Sequence, residues 1–213
     1  MGLPKIQPYA LPAVADIPAA RAQWDFEPGR AALLIHDMQN YFINAFERHT
    51  SPIAPVIDNI VRLKSACKKA GIPVYYTAQN GNQDRRDRGL QADLWGPGMT
   101  AAPEHQQITD ALKPDEDDTV LVKHRYSAFQ LSNLEHLMRV RGRDQIIICG
   151  IYAHIGCLLT AAEAFQRDIK PFLVADAVAD FSQDNHDMAL TYLAKTTGIP
   201  LALSTLLAKI EGK

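Results

Sequence analysis

The stretch LLIHDMQNYF, residues 33–42, begins as an apolar run and then places an acid, an amide and two aromatic rings directly after it. The run predicts a buried strand over residues 31–35, because its aliphatic side chains continue without a polar interruption. In a parallel sheet, ligands bind beyond the carboxyl ends of the strands. Asp37, which follows the strand directly, therefore indicates the edge of the sheet at which a functional site would lie.

Further short apolar runs alternate with longer segments whose apolar residues recur every three or four positions. The runs predict five more strands, at residues 73–77, 119–123, 145–150, 172–175 and 201–204. The longer segments predict helices at residues 53–70, 104–112, 134–141, 155–168, 185–197 and 206–210. This alternation predicts one α/β domain over residues 30–213, with a mostly parallel six-stranded sheet covered by helices on both faces. Five prolines in residues 1–29 predict an extended N-terminal arm that runs over the surface.

The composition argues against several classes of function. Of the 213 residues, 47% are hydrophobic, and the formal net charge of −2 leaves no general basic surface for nucleic acid or an anionic membrane. No apolar run approaches the roughly 20 residues of a membrane span, so a cytoplasmic protein is expected. The three cysteines are odd in number and widely separated, which favours free thiols in a reducing compartment.

Polar residues follow the predicted strands at positions where their side chains could share one cleft. Asp37 follows the first strand and Lys123 closes the third, so that a carboxyl group and an ammonium group could share a hydrogen bond beside a substrate. A structural ion pair at the strand ends explains these two residues equally well. His36, His124 and His154 lie at three different strand ends without carboxylate partners at ligand spacing, so neither a metal nor another cofactor is expected.

Six motifs resemble the isochorismatases of catechol siderophore biosynthesis, a family within the larger cysteine-hydrolase superfamily. They are LLIHDMQNYF at 33–42, VYYTAQ at 74–79, DLWGPG at 93–98, VLVKHRYSAF at 120–129, GIYAHIGC at 150–157 and IKPFLVADAVADFS at 169–182. The resemblance covers residues 1–210 and implies a single-domain, Rossmann-like three-layer sandwich. It also implies hydrolysis of the vinyl ether of isochorismate to 2,3-dihydro-2,3-dihydroxybenzoate and pyruvate.

The resemblance implies roles for particular residues. Asp37 matches the family's proton donor to the methylene carbon of the enolpyruvyl group, and Lys123 matches the lysine that orients this acid. The other matches are substrate contacts: Gln79 and Arg88 to the two carboxylates, Tyr152 to the enolpyruvyl end, and Phe42 and Trp95 as apolar walls. Simpler roles compete with two of these, because the polar residues 80–89 could form a solvated loop around Arg88 and Phe42 could belong to the core.

The larger superfamily uses a nucleophilic cysteine at the start of the helix after the fourth strand, and Gly156 occupies the matching position here. Its backbone N–H, at a helix N-terminus, is suited to an anion. Cys157 comes one residue later and would point about 100° away, so it is expected in the core. Acid catalysis without a covalent intermediate is therefore expected. The sequence leaves the protonation of Asp37 open, because burial and a dianionic substrate raise its proton affinity while Lys123 lowers it.

Departures from the family pattern leave the substrate open. His124 stands where the family usually has tryptophan, and Asn80 replaces a common proline. A phenazine-pathway relative acts on 2-amino-2-deoxyisochorismate, and two further alternatives are a nicotinamidase-type thiol amidase and a non-catalytic scaffold for siderophore-assembly proteins. The resemblance also implies homo-oligomers and, in many members, a C-terminal aryl carrier domain. None is found before Lys213, so a stand-alone hydrolase or a shortened form of a longer protein is expected.

Overall fold

The computed structural model describes residues 3–212 and shows a six-stranded sheet in which all strands are parallel. The strands are β1 (Ala31–His36), β2 (Val74–Ala78), β3 (Thr119–Val122), β4 (Gln145–Ile151), β5 (Lys170–Ala179) and β6 (Ile199–Leu201). They lie in the order β3-β2-β1-β4-β5-β6. The chain leaves β1 toward one edge and returns to β4 on its other side, so the β1/β4 pair is the switch point where a crevice opens.

Helices cover both faces of this sheet. In chain order they are α1 (Asn40–Ile43), α2 (Ile53–Lys69), α3 (Arg85–Arg88), α4 (Gln91–Trp95), α5 (Pro103–Gln106), α6 (Leu134–Arg139), α7 (Leu158–Gln166), α8 (Gln183–Thr196) and α9 (Leu203–Ile210). Helices α2 and α9 bury apolar side chains against one face, and α6, α7 and α8 bury theirs against the other. The predicted three-layer α/β sandwich is therefore confirmed. Within the described chain, no helix combines the length and apolar character needed to cross a membrane.

The helix predicted over residues 104–112 is wrong. Helix α5 ends at Gln106, and Ile108 instead forms an antiparallel bridge with Gln39. Backbone hydrogen bonds from Thr109 N–H to the Met38 carbonyl (3.0 Å) and from Asn40 N–H to the Gln107 carbonyl (2.8 Å) complete this pairing. The segment after β1 thus provides partners for backbone groups that a continuous helix would have paired internally.

Several other predicted elements have different bounds in the structure, and two of these differences concern the starts of α9 and α7. The strand predicted at 201–204 is β6 at Ile199–Leu201, and Leu203 already begins α9, where its N–H donates to the Asp176 carboxylate at 2.7 Å. The helix predicted from residue 155 begins instead as a π-helical turn, Ala153–Cys157, that leads into α7. At both junctions a carboxylate from a distant part of the chain accepts from a backbone N–H, Asp176 at Leu203 and Asp180 at His154.

The segment that precedes β1 contains only two short 3-10 turns, Val14–Asp16 and Pro28–Arg30, and it is anchored to the rest of the domain. Ile6 is 5% exposed and Phe26 is 8% exposed, and both belong to the core on the α2 side of the sheet. The Ile6 N–H donates to the Ala45 carbonyl at 2.8 Å. The arm is therefore held near α1, beside the crevice at the β1/β4 switch point.

Candidate active site

Asp37 lies directly after β1, at the mouth of the crevice. Its backbone has a φ of +51°, a left-handed conformation that aspartate adopts more readily than most residues. The Thr77 hydroxyl at the end of β2 accepts from the Asp37 N–H at 3.1 Å and donates to the Asp37 carboxylate at 2.7 Å. Two neighbouring strand ends therefore fix both the backbone and the side chain of this acid.

Lys123 forms a buried ion pair with Asp37. Its Nζ lies 2.9 Å from the Asp37 Oδ2, and the side chains are only 2% and 8% exposed. The ammonium also donates to the Arg125 carbonyl at 2.9 Å and lies 3.5 Å from the Tyr126 carbonyl, so its three N–H groups face three acceptors. Burial raises the pKa of Asp37, but the charge of Lys123 and the hydrogen bonds from Lys123 and Thr77 together hold that pKa below the usual value. Asp37 is thus a carboxylate in the free protein at neutral pH.

All eight residues that the resemblance singles out line one cavity above this ion pair. The cavity holds about 550 Å³ of empty space, counting its open mouth. The eight are Asp37, Phe42, Gln79, Arg88, Trp95, Lys123, Tyr152 and Gly156. The structure therefore brings together residues from five separated segments of the chain, and their catalytic and binding roles remain predictions.

Arg88 is a buried cation that faces the cavity. Its side chain is 6% exposed and Nε donates to the Gly96 carbonyl at 2.7 Å, but it forms no ion pair with any carboxylate in residues 3–212. Burial lowers the pKa of Arg88, since no neighbouring anion compensates the charge. Gly98 beside the guanidinium has a φ of +82°, which favours glycine, and a Cβ there would lie 2.7 Å from Arg88 Nη1 and would displace it. The solvated-loop alternative is therefore wrong for Arg88, and the group is suited to receive an anion.

The Gln79 side chain points toward the acid. Its Nε2 lies 3.5 Å from the Asp37 Oδ2, while its backbone is clamped by Gln39. The Gln39 amide accepts from the Gln79 N–H at 2.7 Å and donates to the Gln79 carbonyl at 2.9 Å. Gln39 is 1% exposed and also donates to the Gln106 carbonyl, so it fixes the loop after β2.

Stacked aromatic rings form one wall of the cavity. The Phe181 ring lies between Tyr152, at a centroid distance of 4.1 Å, and Trp95, at 5.8 Å, with interplanar angles of 24° and 23°. Trp95 Nε1 donates to the Tyr126 hydroxyl at 2.7 Å, and the Tyr152 hydroxyl donates to the Phe42 carbonyl at 3.1 Å. Phe42 both lines the cavity and packs in the core, so the two interpretations of this residue hold together.

Several other residues that line the cavity are not among the site residues predicted from the sequence. They include Leu3, Tyr41, Gln91, Met99, Tyr126, Ile155 and Phe181. Phe181 has a signal in the sequence, because it follows a strand end, but the predicted fifth strand stops at residue 175 whereas β5 continues to Ala179. Leu3 has no such signal, since only the tertiary packing of the arm brings it to the cavity.

The position of Gly156 has no room for a side chain. A Cβ there would lie 2.1 Å from Cε1 of the His36 ring. That ring is fully buried, with Nδ1 2.9 Å from the Ile151 carbonyl and Nε2 3.2 Å from the Tyr126 carbonyl, so it has little freedom to move. Cys157 points into the core, where burial raises the pKa of its thiol well above the usual value. No reactive thiol therefore faces Asp37 from this turn.

Adding a side chain at Gly156 is expected to lower the free energy of unfolding. Gly156→Ala forces its methyl group into His36, and overpacking of this kind costs about 1–3 kcal/mol. Gly29→Ala is the matched control, because nothing lies within 4 Å of the Cβ at that position. Chemical denaturation should show a lower free energy of unfolding for Gly156→Ala and an unchanged one for Gly29→Ala. His36→Ala should also cost less in the Gly156→Ala chain than in the wild type, and additive effects would contradict the predicted contact.

The histidines that follow the strands do not gather around one point. Among residues 3–212, the one cluster of three or more side chains spaced for a cation is Asp115, Asp117 and Asp118, at the opposite end of the sheet. Lys64 and Lys68 already pair with these acids. The ion pairs account for this cluster without a metal ion.

A parallel sheet with an acid and a lysine buried together at its switch point, beneath an open cavity, is typical of the ligand site of an α/β enzyme. Residues 31–204 match the family model of the isochorismatase domain, and the chain belongs to this family, which makes it a hydrolase. The resemblance in the sequence is thereby confirmed.

Three similar proteins illustrate the relationship. Enterobactin synthase component B of Escherichia coli (strain K12) is 56% identical over 93% of this chain and 70% of that protein. The phenazine biosynthesis protein PhzD of Pseudomonas fluorescens is 48% identical over 91% of this chain and 92% of that protein. A solved structure of a cysteine hydrolase from Pseudomonas syringae pv. phaseolicola has a TM-score of 0.79 at 25% identity, over 92% of this chain and 98% of that chain.

Proposed function

We propose that the protein hydrolyses the vinyl ether of isochorismate to 2,3-dihydro-2,3-dihydroxybenzoate and pyruvate. The observation that carries this proposal is the buried Asp37–Lys123 pair, which faces a cavity that also holds Arg88, a cation without a carboxylate partner in the described part of the chain. The substrate is a dianion with an acid-labile enol ether. The positive charge of Arg88 and Lys123 favours a dianion in this cavity, and Asp37 is the acid that its chemistry needs.

Protonated Asp37 gives its proton to the methylene carbon of the enolpyruvyl group, which forms an oxocarbenium ion. Water adds to this ion and returns a proton to Asp37, and the hemiketal then collapses to pyruvate and the diol. Lys123 remains charged and stabilises the Asp37 carboxylate while it lacks the proton. The aromatic wall of Trp95, Phe181 and Tyr152 limits the access of other water molecules. No side chain forms a covalent bond to the substrate in this mechanism.

Charge balance explains how Asp37 becomes an acid. In the free protein, the charged residues that line the cavity are the Asp37 carboxylate and the cations Lys123 and Arg88. A bound dianion neutralises the two cations, so the site then favours a protonated, uncharged Asp37. Substrate binding thus raises the pKa of Asp37, which Lys123 lowers in its absence.

This balance predicts different pH profiles for the two kinetic parameters. The value of kcat/KM depends on the protonation state of Asp37 in the free enzyme. It should fall as pH rises above the lowered pKa of Asp37, because only protein with protonated Asp37 can react. The value of kcat depends on the protonation state of Asp37 in the enzyme–substrate complex, where its pKa is higher, so kcat should remain constant up to a higher pH. Steady-state rates measured across the pH range test this, with the exposed Asp58→Asn variant expected to reproduce the wild-type profile. A kcat/KM that increases with pH through neutrality would contradict the acid role.

Release of pyruvate from isochorismate, measured with a coupled lactate dehydrogenase, is the direct test of the proposed function. A pure protein that releases none would refute it and would favour a non-catalytic scaffold. A second candidate substrate, 2-amino-2-deoxyisochorismate, is supported by the 48% identity to the phenazine protein PhzD. The ratio of kcat/KM for the two compounds decides between them, and a higher value for the amino compound would place the protein with the phenazine enzymes.

We further propose a role in siderophore biosynthesis, because the 56% identical relative is a component of enterobactin synthase. Contacts with other siderophore-assembly proteins and homo-oligomerisation remain predictions of this proposal. Cys67, Cys149 and Cys157 are free and buried, as expected, and free thiols support a reducing compartment such as the cytoplasm. Co-purification from iron-starved cells and light scattering on the pure protein would test these points.

A further inference from the structure

The N-terminal arm contributes directly to the walls of the candidate site. Leu3 lines the cavity, and Tyr9 reaches into the space between β5 and α8. The Tyr9 ring meets the His186 ring edge to face, at a centroid distance of 5.9 Å and an interplanar angle of 87°. Burial raises the pKa of the Tyr9 phenol, so the hydroxyl stays protonated.

The hydrogen bonds of the Tyr9 hydroxyl have a defined direction. The hydroxyl accepts from the Asp180 N–H at 2.7 Å and lies 3.1 Å from His186 Nδ1. His186 Nε2 lies 2.9 Å from the Ala175 carbonyl, which can only accept, so Nε2 carries the ring proton and Nδ1 is free to accept. Tyr9 therefore donates to His186 and accepts from Asp180, and this one oxygen joins the arm to β5 and α8.

Asp180 links Tyr9 to residues of the candidate site. Its side chain is fully buried, and its carboxylate accepts from the Phe181 N–H at 2.7 Å, from the His154 N–H at 2.5 Å and from His154 Nδ1 at 2.6 Å. Phe181 is the central ring of the aromatic wall, and His154 belongs to the π-helical turn that contains Gly156. The Asp180 backbone and side chain together thus hold both the wall and the turn.

We propose that Tyr9 is a positioning residue for the substrate site, acting through Asp180 on Phe181. This inference rests on the proposed function, since it assigns the cavity to the substrate. Removing the hydroxyl leaves the buried Asp180 N–H without its acceptor, and the Phe181 ring then loses its fixed place between Tyr152 and Trp95. The residue touches neither Asp37 nor Lys123, so it affects substrate affinity and leaves the proton transfer unchanged.

Tyr9→Phe tests the proposal, because it removes one oxygen and keeps the ring. We expect KM to rise about three- to tenfold and kcat to change by less than about twofold, since an unsatisfied buried donor weakens binding and not the chemical step. Tyr192→Phe is the matched control, because Tyr192 is 51% exposed and should keep wild-type kinetics. Rates are measured at a temperature well below the thermal unfolding midpoint of each variant.

A second pair of variants distinguishes positioning from general loosening of the fold. If Tyr9 acts through Phe181, Tyr9→Phe should no longer change KM in a Phe181→Leu chain. An unchanged KM in the single variant, or an equal fold-change in the Phe181→Leu chain, would overturn the proposal. Should Tyr9→Phe fail to fold, Asp180→Asn interrupts the same path from the other side and is expected to raise KM in the same way.

The proposal and the proposed function can fail separately. A wild-type protein that releases no pyruvate refutes the function, whatever the variants do. Trp95 fluorescence in a Trp24→Phe chain then still tests the positioning role without substrate, because the stacked Trp95 senses the place of Phe181. Tyr9→Phe should shift this emission to longer wavelength and Tyr192→Phe should not, and equal spectra would overturn the inference.

Discussion

Asp37→Asn is expected to lower kcat for isochorismate by about 10²- to 10⁴-fold, the contribution that one positioned general acid typically makes. The asparagine amide keeps the shape of the side chain: its oxygen can accept from Lys123 in place of Oδ2, and its NH2 group can donate to the Thr77 hydroxyl in place of Oδ1. It has no acidic proton to give to carbon. The fold should therefore remain intact while turnover is lost.

The measurement is pyruvate release under saturating substrate, together with circular dichroism and the unfolding midpoint. Asp58→Asn, an exposed acid on α2, is the matched control and should retain wild-type turnover. In heavy water, the wild type should place one solvent deuterium in the methyl group of pyruvate, because the proton on carbon comes through Asp37. Near-wild-type activity of Asp37→Asn, or a substrate fragment covalently attached to the protein, would refute the acid mechanism.

Lys123→Met is expected to lower the free energy of unfolding by about 3–5 kcal/mol at neutral pH, since it leaves one partner of a buried ion pair without the other. Burial raises the pKa of Asp37 and Lys123 opposes it with both its charge and a hydrogen bond, so the removal of Lys123 should raise the pKa of that carboxyl group. Activity should fall as well, because the Asp37 carboxylate left by proton transfer would lose its stabilising charge. Lys195→Met, at an exposed position of α8, is the control and should be close to neutral.

The lowered pKa of Asp37 determines how the stability lost in Lys123→Met should vary with pH. In the wild type, the pKa of Asp37 is lower in the folded than in the unfolded state, so the stability that the pair contributes is present above the unfolded pKa and is lost as pH falls. The difference in free energy of unfolding between the wild type and Lys123→Met should therefore be largest near neutral pH. It should become smaller in acid, where the buried Asp37 carboxyl group is protonated. Denaturant unfolding at several pH values measures this, and a deficit that is constant with pH would contradict the assignment.

A double variant separates stability from catalysis at the same pair. Asp37→Leu combined with Lys123→Met removes both charges and should recover much of the stability that Lys123→Met loses, because an apolar pair needs no compensating charge. It should recover no activity. Recovery of turnover would show that the pair is structural, which is the alternative that the sequence leaves open.

Local patterns account for the parts of the fold that the sequence predicts well. Strand β1 and helix α2 differ from prediction by one residue at their ends, because aliphatic runs and apolar residues every three or four positions favour one backbone conformation in any context. The failed helix at 104–112 has a similar pattern. There the backbone pairs with Gln39 and its neighbours instead, and no local signal reports a partner so distant in the chain.

The amino-acid sequence alone was enough to predict the parallel sheet, the acid that follows β1, and the glycine within the helical turn after β4. These follow from short-range sterics and from residue types at fixed positions. Three features depend on the folded chain: Arg88 is buried with no ion-pair partner among residues 3–212, Lys123 lowers the pKa of Asp37, and Tyr9 connects the arm to Phe181. Burial, charge coupling and such connections depend on distances between groups that are far apart along the chain, and those distances exist only once the chain has folded.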